Sequence, residues 1–282
     1  MQPQVGNGDT PSSSSSPTPS SGTAASRWLD PLAIERVRSI TPGAPHRGGW
    51  LRFSANAFDA ARYRSRGLVD GAEASHYTQA KHPDILADFR SGYLWDHLNA
   101  SEPRLARSVG GSQSCVVIRA AVPDPTTLDY LRDTVGLVTF MLDVGGCCVY
   151  DPQMFKWWSP ADWRACVFEP AGPVPRHHVT ILVSEDADST EWFHTRGMRK
   201  FGRPDVSVHR VSRDLRPAVT DLCDRLIEHQ AFGAIIAEAQ EIRMASLPPG
   251  GRIFHGGHID DPEFNNVHLE VRWEDASKAA RL

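Results

Sequence analysis

No stretch of the 282-residue chain approaches the run of about 18 apolar residues that a membrane helix needs; the window Val135 to Leu142 is already interrupted by Gly136 and Thr139. Positive charge is also scarce. The 30 Lys and Arg stand against 34 Asp and Glu, a formal net charge of -4, so no global field gathers nucleic acid or anionic lipid. Cysteine is sparse and odd in number. The five include the vicinal pair Cys147 and Cys148, and none stands in the Cys-x-x-Cys spacing of a structural zinc site. A reduced, cytoplasmic compartment is the expectation, with the vicinal pair read as small buried hydrophobes rather than thiol nucleophiles. Residues 1–26 hold eight serines and four prolines and no Lys or Arg before Arg27. They have neither the charged start and apolar centre of a signal peptide nor material for a core, and read as a disordered tail.

What the chain does have is an apolar fraction of 40%, enough for a real core in one large domain or two small ones. Asp30-Pro31 is a helix-start signal, with Leu32, Val37 and Ile40 as a short apolar face. Through residue 110 the pattern stays helical but broken, with Asn56 as a further cap and His82 to Leu98 as two short turns of apolar spacing. From Ser114 the pattern changes. CVVIRAAV is a β-branched strand, Asp124-Pro125 opens a helix that Gly145-Gly146 ends, CCVYD is the next strand, and Ser159 to Asp162 is a capping box. HHVTILVSED, WFHTRGM and DVSVHRV read as antiparallel strands, and Asp214 caps a long helix with Leu215, Val219, Leu222, Leu226 and Ile227 as its buried stripe. In the last strand, VHLEVRW, alternation sends Val267, Leu269, Val271 and Trp273 inward and Asn266, His268, Glu270 and Arg272 outward.

The chain is accordingly expected to be an α+β protein in three parts. These are a tail (1–26), a helical region packed on the core (27–110), and an α+β domain (111–282). In that domain a mixed, mainly antiparallel sheet carries the Asp124 and Asp214 helices on one face.

Two segments carry the candidate chemistry. In FHGGHIDDPEFNNVHLEVRW, His255, His258 and Asp260 precede His268 and Glu270, and a Gly-rich loop folded over the strand would bring imidazoles and carboxylates together. Zinc, iron or manganese accepts such donors, and His268 with Glu270 is the candidate acid/base pair. The competing reading, a solvated strand face, stands first. In WFHTRGMRKFGRPDVSVHR, Arg196 and Arg203 flank glycines that allow close backbone approach and Arg199 lies between them, a candidate anion site to which Asn266 is added; a solvated hairpin is its competitor. Trp157-Trp158 suggest a stacking surface and read more simply as core aromatics.

On HTRGMRKFGRPDVSV and DDPEFNNVHLEV, the chain resembles a group of uncharacterised bacterial proteins with an α+β domain of this element order, over about residues 114 to 273. That group is similar in outline to immunity-type domains of polymorphic toxins. The resemblance implies binding rather than catalysis and carries over no established active site. The leading expectation is therefore a soluble, non-catalytic binding protein. It has no cofactor, and its partner is another protein rather than nucleic acid or membrane. The alternatives are a metal-dependent hydrolase using His255 to Glu270, and anion or nucleic-acid binding through Arg196 to Arg210.

Overall fold

The β-branched run from Ser114 is buried on both faces along most of its length, as only a central strand can be. The computed structural model describes residues 33–35, 58–124, 126–261 and 263–273, so the expected tail 1–26 lies outside the described residues. Five strands form a first sheet: β1 (Ala33–Glu35), β2 (Ala72–Thr78), β3 (Ser114–Ala120), β4 (Cys148–Asp151) and β5 (Lys156–Trp158). Their order is β2-β3-β1-β4-β5, antiparallel throughout.

Residues 33–35 correct the helix expected to open at Asp30-Pro31. They lie as a strand between β3 and β4, because ladder partners distant in sequence outweigh a local capping signal. The segment 58–110 carries the expected short helices: α1 (Ala60–Tyr63), α2 (Pro83–Asp88), α3 (Gly92–Ser101) and α4 (Pro103–Gly110). It also carries β2, whose polar composition hid it. Asp59 caps α1, its carboxylate accepting from Ala61 N and Arg62 N; the expected cap, Asn56, lies outside the described residues.

The next helix, α5 (Asp129–Asp143), starts later than Asp124. It lays Val135, Val138, Phe140 and Leu142 against Val116, Ile118 and Val149 of the first sheet, with Tyr63 and Trp163 completing that core. Ser159 then opens α6 (Pro160–Asp162) in a reciprocal box, accepting from Asp162 N and donating to its carboxylate. Trp158 is buried in this core, and Trp157 packs on Tyr150 with ring centroids 4.5 Å apart, so the pair serves the fold rather than a stacking surface.

A second, six-stranded sheet is built from β6 (Thr180–Glu185), β7 (Glu191–Arg196), β8 (Asp205–Val211), β9 (Glu241–Ile242), β10 (Gly251–Gly256) and β11 (His268–Trp273). The order is β6-β7-β8-β11-β10-β9, with β8 and β11 parallel and every other pair antiparallel. This is the mixed, mainly antiparallel sheet of the expected α+β class, but it does not carry both expected helices on one face: α5, the helix expected from Asp124, packs its apolar stripe on the first sheet instead. Helix α7 (Arg216–Ala231) covers its inner face, packing Val219, Leu222 and Cys223 on Phe193, Val206, Val208, Ile253, Leu269 and Val271. Asp214 is not its cap: a 3-10 turn, Arg213–Leu215, intervenes, and the helix starts at Arg216.

The two halves are tied by an apolar and a charged contact. Leu131 of α5 meets Ile227 and Ala231 of α7 around Val179, Met198 and Phe201. Lys200, in the β7–β8 turn, is ion-paired with Asp151 at the end of β4, both side chains almost wholly buried. That turn passes so close to the preceding chain that a Cβ on Gly197 would sit 2.5 Å from His178 O, and its φ of +124° is one glycine adopts without strain. No helix among the described residues is long and apolar enough to cross a membrane.

Candidate ligand-binding cleft

The strand register of β11 decides what its neighbours can do. Leu269 and Val271 are buried against α7, as alternation requires. Val267 departs from that reading and is 39% exposed, because the ladder starts at His268 and Val267 stands before it, accepting only the Asp205 amide. On the outer face His194, Ser207, Glu270 and Phe254 stand side by side across β7, β8, β11 and β10. Trp192 stacks between His194 and His209, at centroid distances of 3.9 and 5.0 Å.

The loop from Gly257 to Val267 does fold over this face, but it delivers an aromatic ring. Asp261 shapes the loop by accepting from Glu263 N and Phe264 N, and Phe264 is driven down onto His268, 4.3 Å between centroids, and edge-on to Trp192 and His194. The His268 ring lies hard against the start of the loop. A Cβ on Gly257 would be 2.7 Å from His268 Nδ1, so only glycine fits there.

The candidate metal ligands are dispersed. His255 Nε2 meets Ile236 O at 2.9 Å, while His258 and Asp260 are exposed. Among the described residues no three His, Cys, Asp or Glu are grouped to hold a metal ion. No hydrogen bond joins His268 to Glu270. Glu270 is held below the usual carboxylate range chiefly by its hydrogen bond from Arg272, at 2.5 Å, and burial pushes the His268 imidazole down.

The three arginines of the β7–β8 segment act as clamps. Arg196 is 3% exposed; it donates to Glu263 O and lies over the Phe155 ring at 3.6 Å, where burial pushes its pKa down. Arg199 donates to Asn265 O at 3.0 Å. Arg203 reaches Asp124 at 3.0 Å and Gly233 O at 3.3 Å. Together they staple the 257–267 loop and the end of α7 to the hairpin, so Arg196 is buried in the scaffold and of the three only Arg203 lines a cleft. Asn266 joins the same scaffold from a buried position, its Nδ2 donating to Arg203 O and to Asp205 Oδ2, each at 2.9 Å. Asp205 also accepts from Thr195 Oγ1 and Met198 N, yet complete burial raises its pKa to about 6.

Arg203 also borders a cleft of about 400 Å³ at which both candidate segments meet. Its lining joins Arg203, His255 and His268 to Gln230 and to an apolar wall that includes Ile235, Ile236, Val267 and Leu269. Three buried nitrogens of these residues have no hydrogen-bond partner: Arg203 Nε, Gln230 Nε2 and His268 Nδ1. Gln230 is the residue that sequence reasoning missed. It falls three positions beyond Ile227 on the buried stripe of α7, and a carboxamide at a core position was the available signal. No family model, curated protein or solved structure matches the chain.

Proposed function

We propose that the protein is a non-catalytic binding protein and that its partner, another protein, seats an apolar segment in the cleft between the end of α7 and the β10–β11 mouth. One observation carries this reading. Of the eight large apolar side chains exposed among the described residues, Ile235 and Val267 line this cleft, and Phe232 and Ile259 each stand two positions from a lining residue. Ile235 is 83% and Phe232 65% exposed. Clustered apolar exposure beside a concave, mainly apolar wall is the signature of an interaction site. No carboxylate, hydroxyl or thiol side chain lines the cleft, and its two imidazoles, His255 and His268, have no such group on the lining to pair with.

The test is a fluorescence titration with 1-anilinonaphthalene-8-sulfonate, comparing wild type with Ile235→Asp at the rim and Leu68→Asp at an exposed apolar residue outside it. A saturable site lost only in Ile235→Asp supports the reading. Binding that survives Ile235→Asp, or that Leu68→Asp removes equally, counts against it.

A further inference from the structure

We infer that the cleft recognises the carboxylate of an apolar residue or chain, an inference that rests on the binding role just proposed. The polar equipment of the cleft is one-sided. Arg203 Nε and the Gln230 Nε2 amide can only donate, and both lack a partner although Gln230 is 1% exposed. Buried donors without acceptors are costly, each by an amount comparable to a lost hydrogen bond, and a ligand supplying an acceptor oxygen removes that cost. His268 Nδ1 is a third nitrogen without a partner on the same lining.

The acceptor that fits is anionic. Arg203 is a permanent cation, its one ion-pair partner, Asp124, is 56% exposed and well solvated, and no acidic side chain lines the cleft. The one permanent charge on the lining itself is therefore positive, although the chain carries a net charge of -4 and Glu238 and Asp261 lie nearby, against His255 and Gly257. A phosphate is a poorer match, since a single arginine and no lysine line the cleft. The remaining wall, from Ile235, Ile236, Val267 and Leu269, asks for an apolar body attached to the carboxylate. Such a group has two sources, the C-terminus of a peptide ending in an apolar residue and a small apolar carboxylate.

The experiment is isothermal titration calorimetry of the full chain with three probes: N-acetyl-Ala-Gly-Leu as the acid, the same peptide as its C-terminal amide, and octanoate. The acid is expected to bind at least ten-fold more tightly than the amide. Gln230→Leu, which removes a donor that has no partner and so should fold, is expected to narrow that gap several-fold. Octanoate binding with no peptide binding supports the carboxylate inference and assigns it to a small ligand, against the protein-partner reading. Equal binding of acid and amide overturns the inference. Failure of all three probes while the naphthalene sulfonate still binds at the Ile235 rim overturns the inference and leaves the binding reading standing. That comparison uses wild type alone and holds whatever Gln230→Leu does to folding.

Discussion

Changing one atom group in Asn266 tests the scaffold behind the cleft. In Asn266→Asp the side chain keeps its shape, but the amide that donates to Asp205 Oδ2 and Arg203 O, at 2.9 Å each, becomes an oxygen facing two acceptors. Two carboxyls then share a buried site, and an uncompensated buried charge costs about 3 to 5 kcal/mol. The pH dependence follows from the same geometry. Burial raises the pKa of wild-type Asp205 from 3.8 to about 6, so its contribution to stability is fully present below about pH 4 and is lost as pH rises through 6. A second carboxyl holds the shared proton to still higher pH. The gap between variant and wild type should therefore be widest above pH 7 and shrink by about half near pH 5. Urea unfolding at pH 7.5 and pH 5 measures it, with Asn266→Leu as a control that removes both donors and adds no charge. Equal stability of Asn266→Asp and wild type at pH 7.5, or a gap that does not narrow on acidification, would refute the reasoning.

Three further outcomes check other parts of the structure. Gly136→Ala places a methyl in the middle of α5, where propensity alone favours Ala by about 1 kcal/mol, but its Cβ would sit 2.1 Å from Tyr63 O and 2.5 Å from Ser65 Cβ. The clash should win, with a net loss of about 2 kcal/mol in denaturant unfolding. Burial lowers the His194 pKa from 6.5 to about 4, so the folded state loses up to about 3 kcal/mol as pH falls through that window. His194→Phe keeps a ring on Trp192 and should flatten the stability profile between pH 6.5 and 4, read by unfolding at each end. Leu222→Ala, at the centre of the α7 stripe, should cost about 2 to 5 kcal/mol, and a near-neutral result would displace the core.

Much of the second half of the chain is legible because its signals are local. The alternation of β11 places Leu269 and Val271 inward, the β-branched run marks β3, and the glycines at 145–146 end α5. The misreadings come from long-range pairing. Residues 33–35 are held between strands some eighty and more residues away, which no local pattern announces. Edge strand β2 lacks the apolar alternation that would mark it, as exposed edges do. At the site, the chemistry-bearing residues were named, but their roles differ. Arg196 looks like a surface cation in sequence and is buried, because the loop that covers it comes from residues 257–267. The cleft itself is made from four separate segments, of which sequence named Arg203, His255 and His268 but not Gln230, whose place on a buried stripe was the remaining signal.

The central claim is that the protein meets its partner at this cleft rather than on the Trp192–Glu270 face of the second sheet. It is tested most directly by backbone amide chemical-shift mapping of the full chain on titration with 1-anilinonaphthalene-8-sulfonate. Shifts are expected to concentrate at residues 203, 230–236, 255–257 and 267–269, on the cleft lining. Shifts centred instead on Trp192, Ser207, Glu270 and Arg272, or spread evenly over both sheets, would contradict the claim.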